Sequence, residues 1–407
     1  MTEVTSVMFR RDAIKVVVDE AKRRGVTFPC ERIKSSDGLG RRVCSDVLAV
    51  EDIPQFDRAT RDGYAVRAED TFGSSTSLPA YFDVVGEVRV DDLPHVEVST
   101  GKAVRIVTGA PIPKGANAVV MLEYTDSVGE DLIEVFKPVG KGENILFRGE
   151  DISAGSVLVS RGSVLRPSEI GGLMSNGVVD VDVYCPKIGI ISTGDEIIPP
   201  WERPAPGKIR DINSYTLSSM VKEFGFIPLS YGIVRDDREL LLSIARKAVD
   251  EVDVLLFSGG SSAGAMDFVE SVVVSLPDSR VVVRGISVSP GKPTLAAFSG
   301  SKLIFGMPGH PASSMVIFEV FVKEIFSFIM NGAPLERSVV YAPLERQVSS
   351  EGGREDFVRG YWNGESVVPL YGKSGMISTM FRSNCLIHIP LENEGYQKGD
   401  TVEVWLT

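Results

Sequence analysis

Three stretches of this 407-residue chain end an apolar run on small hydroxyl-bearing residues or glycine. In "VLLFSGGSSAGAMDF" the run Val254 to Phe257 meets Ser258, Gly259, Gly260, Ser261 and Ser262, with Asp267 beyond. In "ISTGDEIIPP" Ser192, Thr193 and Gly194 are followed by Asp195 and Glu196. In "FGMPGHPASS" Pro308, Gly309 and His310 precede a helix expected to begin near Pro311. Glycine lets a backbone approach a ligand closely, and N–H groups at a helix start favour an anion by roughly 0.3 to 1 kcal/mol each. Hydroxyls add further donors. The three ends together read as a cradle for phosphates, to which "SPGKPT" adds Gly291 and the compact positive charge of Lys292. Glu196 and Asp267 then read as holders of a divalent metal, and oxygen ligands point to magnesium. Singly, each signal has a plainer reading. A Gly-Gly pair after a strand is most often a turn, an isolated Asp267 is more often a helix N-cap than a metal ligand, and His310 is structural or anion-contacting rather than a general base. Neither a GxGxxG nor a Walker A spacing occurs, so a dinucleotide site and a P-loop are not supported.

Those ends need a sheet to hold them. From Lys187 the pattern alternates: "KIGIIST", a helix near 214 to 224, "IPLSYGIV", a helix from Asp237 to Val249, then "VDVLLFSG". A helix near 267 to 276, the strands "SRVVVRGISV", "TLAAFSG" and "KLIFGM", and a long helix from about 311 to 330 follow. Such alternation predicts βαβ units and a doubly wound, mostly parallel sheet, with ligands outside the carboxyl ends of its strands. Residues 8 to 24 predict an amphipathic helix. Residues 45 to 140 are short β-branched runs broken by Gly, Pro, Asn and Asp, the pattern of a β-rich domain. A second β-like stretch, 150 to 183, holds a short helix at 167 to 175. "NGAPLER" reads as a linker to a small C-terminal β domain. Outside the sheet, Asp62 before Gly63 and Thr108 before Gly109 are polar turn residues on spacing alone.

Composition sets the limits. Hydrophobic content of 43% and charged content of 24% are those of a globular protein, and the length calls for two to four domains. A net charge of −12 argues against a nucleic-acid partner, though a local pocket can still be positive. Cys30, Cys44, Cys185 and Cys385 are widely spaced with no CxxC, which fits free thiols in a reducing compartment. Three histidines, His95, His310 and His388, leave no room for a multi-His metal site. The N-terminus lacks a signal-peptide core, and the most apolar run carries Glu319, Lys323 and Glu324. No membrane span and a cytoplasmic location are expected.

Ten ordered segments carry a family resemblance. They run from "PQFDRATRDGYAV", "RIVTGAPIPKGANAVVMLE" and "GENILFRGEDI" through "ISTGDEI", "GKIRDINSYTL" and "GIVRDD". They continue with "SGGSSAGAMDF", "SPGKPTLAAF", "FGMPGHPASS" and "GREDFVRG". The chain resembles the MoeA family of molybdopterin molybdenumtransferases, to which the gephyrin E domain also belongs. The resemblance implies insertion of molybdenum, from molybdate or tungsten from tungstate, into adenylylated molybdopterin, with release of AMP and a need for magnesium. It implies an elongated four-domain chain, multidomain α/β plus β: 1–50 with 141–183, a β-rich insert 51–140, an α/β molybdopterin-binding domain 184–332 and a C-terminal β domain 333–407. It also implies a homodimer whose site is shared between subunits, and contact with the molybdopterin adenylyltransferase.

Matched residue by residue, the resemblance marks Asp62, Thr108, Asp151, Glu196, Asp236, Asp267, Lys292, Arg354 and Ser374 as active-site positions. Glu196 and Asp267 would suit magnesium, Lys292 phosphate or molybdate, and Asp62 the adenylate. The chain departs from the family at Arg58-Ala59-Thr60-Arg61, where Asn-Ser-Ala-Met is common. Ser289 stands where many members have a second Lys, and His310 where Asn or Tyr is usual. Two other functions remain in view: a non-catalytic molybdopterin-binding or scaffolding protein, and an adenylyl-transfer enzyme acting one step earlier. The retained acids favour catalysis over the first, and the "DGYAV" and "TGAP" segments argue against the second.

Overall fold

The structure, a computed structural model, describes residues 7–259 and 263–407. Contacts divide the chain into two compact units: Met1–Ser45 with Arg161–Arg166 and Val181–Thr407, and Asp46–Ser160 with Pro167–Asp180.

The first unit is built on a six-stranded sheet of β1 (Lys187–Thr193), β2 (Ile227–Val234), β3 (Val254–Gly259), β4 (Ser279–Arg284), β5 (Leu295–Ser299) and β6 (Lys302–Met307). Its order is β2-β1-β3-β6-β5-β4. The first four strands are parallel, as expected of a mostly parallel sheet, while β5 and β4 join antiparallel at one edge. The reason is local: only a Gly-Ser turn separates β5 from β6, and a parallel pairing needs a crossover. Each buried strand faces two cores. Val254 and Leu256 join Ile188 and Phe305 on one face. Leu255 and Phe257 join Ile191 and Ile304 on the other. Helices α1 (Arg10–Arg23), α2 (Asn213–Glu223), α5 (Pro311–Ile317) and α6 (Lys323–Asn331) cover the first face, and α3 (Arg238–Glu251) and α4 (Ala263–Val273) cover the second.

Two helices differ from expectation. The long C-terminal helix holds a π-helical turn, Phe318–Val322, between α5 and α6, and ends on Gly332 at φ 74°. Helix α4 starts at Ala263, so Asp267 lies in its second turn instead of capping it. Asp237 is a true N-cap, accepting the Leu240 N–H at 3.0 Å.

A second sheet in this unit is formed by β7 (Val339–Pro343), β8 (Glu355–Trp362), β9 (Cys385–Ile389) and β10 (Thr401–Leu406). It is extended by Val288–Ser289, which leaves the α/β region to pair in parallel with β8, Val288 opposite Glu355 and Ser289 opposite Asp356. Beneath that junction Arg10, 7% exposed, ion-pairs with Glu355, and its Nη2 reaches Glu355 Oε1 at 3.3 Å. The guanidinium lies over Phe357 and Trp405 at 5.6 and 5.5 Å. His388 stacks on Phe357 and lies 3.6 Å from Glu355. Arg337 of the expected linker is anchored, ion-paired with Glu319 at 3.0 Å and Glu324 at 3.2 Å.

The cysteines require a correction. Cys30 and Cys44 form a disulfide, while Cys185 and Cys385 are free. Cys30 opens the strand Cys30–Lys34, which pairs with Asp180–Tyr184, and Val43 bridges Val183. The shared neighbour brings the two cysteines to a Cα separation of 6.4 Å, which a 14-residue spacing does not reveal.

The second unit is a six-stranded sheet in the order Ala118–Met121, Gly63–Val66, Lys102–Ile106, Ala80–Val88, Leu132–Val135 and Thr125–Ser127. The expected short helix is present at Pro167–Ser175. Among the described residues no helix is long and apolar enough to cross a membrane.

Two predictions follow from the packing. Gly259 sits opposite Thr193 in the β1–β3 ladder, and an added Cβ would strike the Thr193 carbonyl oxygen. Gly259→Ala should therefore cost on the order of 2 kcal/mol or more in a denaturant titration, because backbone must move. Burial pushes the Glu355 carboxyl up, but His388 and Arg10 outweigh it and hold the group at about 2. The folded pKa is thus below the unfolded one, so this contribution is present above about pH 4.5 and lost as pH falls toward 2. It is on the order of 3 kcal/mol. Glu355→Gln should melt lower at pH 7, leaving Arg10 buried and unpaired, and should lose less stability than the parent between pH 5 and 2.5.

Candidate active site

At the carboxyl end of the α/β sheet two clefts of about 690 Å3 each lie side by side, both lined by Gly309 and His310.

The first cleft is cationic. Lys292 enters it because Val288–Ser289, just upstream, is zipped onto β8, and Arg354 is the residue before β8 begins. One two-residue pairing therefore brings Lys292 and Arg354 to the same cleft. Arg359, on β8, lines it as well and is 6% exposed. Its Nη2 donates to Gly372 O at 2.6 Å and its Nε to Thr379 Oγ1 at 3.3 Å, and burial pulls its pKa below the usual value. Those bonds hold the segment bearing Ser374, whose Oγ lies 2.7 Å from His310 Nδ1 and whose carbonyl accepts the Ala312 N–H at 3.1 Å. Glu351 is the acid of this lining, and it is paired with Arg354 at 2.8 Å. Gly291 and Pro308 complete the wall. Gly291 has φ +134°, and an added Cβ would run into Ile317. Three cations, a hydroxyl and close backbone suit a compact oxyanion.

The second cleft is lined by Ser192, Glu196, Ser258 and Gly259, with Asp211 and Asn213 at the start of α2. Asn213 donates Nδ2 to Gly309 O at 2.8 Å, but among the described residues its Oδ1 is buried without a partner, as is Ser258 Oγ. Buried polar atoms are normally bonded, so oxygens left open beside a cleft mark where a ligand or ion would complete them. Gly194, at φ +148°, makes the turn after β1, and the Ile197 N–H bonds back to its carbonyl at 3.1 Å, which directs Glu196 to the cleft.

Other expected residues are placed differently. Thr193 lines neither cleft; its Oγ1 donates to Asp236 Oδ1 at 2.8 Å, and the Asp236 N–H reaches Asp195 Oδ1 at 3.3 Å. Thr193 and Asp236 thus buttress the β1 turn. Asp267 is exposed and lines neither cleft, and among the described residues no group of three or more His, Cys, Asp or Glu is set to hold a metal. Gly260 and Ser261 lie outside the described residues. In the second unit Gly63 pairs with Ile106, which sets Asp62 beside Thr108: Asp62 Oδ1 accepts the Thr108 N–H at 2.7 Å. That N–H, with the Thr108 hydroxyl, holds the exposed Asp62 carboxyl below its usual range. Asp151 lines a smaller cleft of about 270 Å3 in the same unit, with Ile152 and Glu169.

Sequence reading missed Arg359, Asp211 and Asn213. Arg359 had the fainter signal, a second arginine in "GREDFVRG" directly after the apolar pair Phe357-Val358; the other two sit in "DINS" ahead of an amphipathic run, a helix-start pattern.

Residues 11–177 match the MoeA N-terminal region (domain I and II), 189–327 a molybdopterin-binding domain described as probable, and 341–407 the MoeA C-terminal region (domain IV). A Methanocaldococcus jannaschii protein named for molybdopterin biosynthesis is 38% identical over 379 residues, covering 91% of this chain and 90% of its own. The molybdopterin molybdenumtransferase of Bacillus subtilis is 33% identical over 405 residues, covering 96% and 94%. The crystal structure of a molybdopterin biosynthesis MoeA protein from Pyrococcus horikoshii superposes with a TM-score of 0.84 at 33% identity, covering 99% of this chain and 100% of that one. With full-length likeness in sequence and fold and all parts of the four-domain arrangement matched in order, the chain belongs to the MoeA family of molybdopterin biosynthesis proteins.

Proposed function

We propose that this protein is the transferase that inserts molybdenum, delivered as molybdate or tungsten as tungstate, into adenylylated molybdopterin with release of AMP. The observation that carries this reading is the pair of clefts sharing Gly309 and His310, one cationic and one lined with open oxygen donors. An oxyanion and a phosphate-bearing dithiolene have to meet, and such a junction offers each its own chemistry. The relatives' name, molybdopterin molybdenumtransferase, supports the same reaction.

In this reading Lys292 and Arg354 hold the oxyanion through charge-assisted bonds, with Arg359 adding field from a buried position. Ser374, oriented by His310, adds a hydroxyl contact. Ser258, Gly259 and Gly309 approach the phosphate, with Gly260 and Ser261 continuing that loop, while Ser192, Thr193, Gly194, Gly291 and Pro308 shape the cradle. Asp236 keeps the β1 turn fixed. Asp62 and Thr108, locked together, would orient the adenylate from a partner subunit of a homodimer, with Asp151 on the same unit. The donor set fits magnesium, because Glu196, Ser258 and Asn213 beside the second cleft offer hard oxygens and this ion takes one or two carboxylates with substrate phosphates. Glu196 and the Ser258 and Asn213 oxygens would hold it. Bound there, magnesium would neutralise phosphate charge as AMP leaves. A cytoplasmic location and contact with the molybdopterin adenylyltransferase belong to this reading.

The test is AMP release from adenylylated molybdopterin with magnesium and either oxyanion. Oxyanion-dependent release that is lost in Glu196→Ala is expected, and binding without release under both oxyanions would favour a carrier. Lys292→Ala should raise the apparent KM for the oxyanion about tenfold or more with a smaller change in kcat. Asp62→Ala should lower turnover while shifting the melting temperature by no more than about 4 °C, since an exposed acid outside any core contributes little to stability. A larger drop would make Asp62 a structural residue.

A further inference from the structure

His310 lines both large clefts, where the cationic one meets the one with oxygen donors. Its side chain is exposed, and among the described residues the ring makes one hydrogen bond, from Nδ1 to Ser374 Oγ at 2.7 Å. The backbone holds the pair from both sides. The Ala312 N–H donates to Ser374 O at 3.1 Å, and the Ser314 N–H donates to His310 O at 3.0 Å. Arg359 fixes Gly372, two residues before Ser374, through its bond of 2.6 Å. The His310–Ser374 bond has a direction, because a hydroxyl carries a single proton. With no proton on Nδ1, the ring accepts from Ser374, whose remaining lone pairs then face the cleft and oppose an anion. With a proton on Nδ1, the ring donates to Ser374 Oγ, and the hydroxyl proton is free to reach a bound oxyanion. The same 2.7 Å contact therefore gives either a hostile or a receptive cleft.

We infer that His310 is a positioning residue that couples oxyanion binding to proton uptake: protonated on both ring nitrogens, it holds Ser374 through Nδ1–H and turns the hydroxyl proton toward the oxyanion. This rests on, and deepens, the proposed reading of the cationic cleft. The proton comes from solvent at the exposed ring, and no covalent bond between heavy atoms changes. The neutral Nδ1–H tautomer would free the same hydroxyl but add no charge, so the doubly protonated ring is the better partner for a dianion. The charged groups of the first cleft are Lys292, Arg354 and Arg359, with Glu351 paired to Arg354. Those of the second are Glu196, Asp211, Lys208 and Arg210, and Lys373 precedes Ser374. Carboxylates, lysines and arginines ordinarily keep their charge between about pH 6 and 8, whereas an imidazole ordinarily changes its own. A pH dependence of oxyanion binding in that window therefore points to the ring.

The experiment is calorimetric titration of the full-length protein with sodium molybdate, and again with tungstate, between about pH 6 and 8 at fixed ionic strength. Both probes stay dianionic over that range. Each pH is run in buffers of different ionisation enthalpy, which counts the protons taken up. In the parent the affinity should fall about tenfold or more from the low end to the high end, with uptake of up to about one proton per oxyanion. His310→Asn keeps an N–H donor for Ser374 but has nothing to titrate, so its affinity should stay level with no proton uptake. Ser374→Ala removes the hydroxyl and leaves only the field of the ring, so the pH dependence should shrink to about threefold or less. The inference is overturned by a parent that binds neither oxyanion, or that binds them with no pH dependence. It is equally overturned by a full dependence kept in His310→Asn, or in Ser374→Ala, where charge alone would be at work. No turnover is required of the protein in this assay. Failure of AMP release with proton-linked binding intact would therefore sink the transferase reading alone, and AMP release with binding level in pH would sink only the role of His310.

Discussion

The parallel pairing of Val288–Ser289 with Glu355–Asp356, seated on the buried Arg10–Glu355 ion pair, is the contact on which the candidate site depends. It is only two residues long, yet it fixes where the Lys292 loop and the start of β8 lie. Without it Lys292 belongs to the α/β sheet and Arg354 to the C-terminal sheet, with no reason to share a cleft. A pairing this short contributes little by itself. Its rigidity comes from beneath, where Arg10, Phe357, His388 and Trp405 pack in one layer.

A buried ion pair is a weak source of net stability, because desolvation of both groups offsets most of their attraction. Its geometry is nonetheless demanding, since any arrangement that separates Arg10 from Glu355 leaves two uncompensated charges. That asymmetry lets it select one arrangement of α1 against β8 from among many that bury similar apolar area. Arg359 repeats the logic nearer the ligand. A guanidinium that is mostly desolvated is held by Gly372 and Thr379, so the segment carrying Ser374 and the cationic wall are positioned together.

The glycine-rich strand ends have two physical causes, and the structure separates them. Gly259 is small because the Thr193 carbonyl passes too close for a Cβ, and Gly194 because its turn needs φ +148°. Their space is set by backbone first. The oxygens of Ser258 and Asn213, in contrast, are buried without a hydrogen-bond partner among the described residues, so no internal contact accounts for them. Sequence composition shows both kinds of position as the same small, polar residues.

The sequence by itself determined the element order and the faces. The apolar runs at β1, β3 and β6 are buried on both sides, and the amphipathic pattern of α3 begins on its Asp237 cap, because periodicity and capping are local. It also pointed to Glu196, Lys292, Ser258 and Gly309, since strand ends of an α/β sheet are where ligands gather. Tertiary structure alone decided the rest. The Cys30–Cys44 pairing and the joining of Lys292 to Arg354 each depend on a neighbour distant in sequence. So does the contact of His310 with Ser374: a residue's type does not reveal which hydroxyl will fold next to it, and only the packed chain sets His310 Nδ1 2.7 Å from Ser374 Oγ.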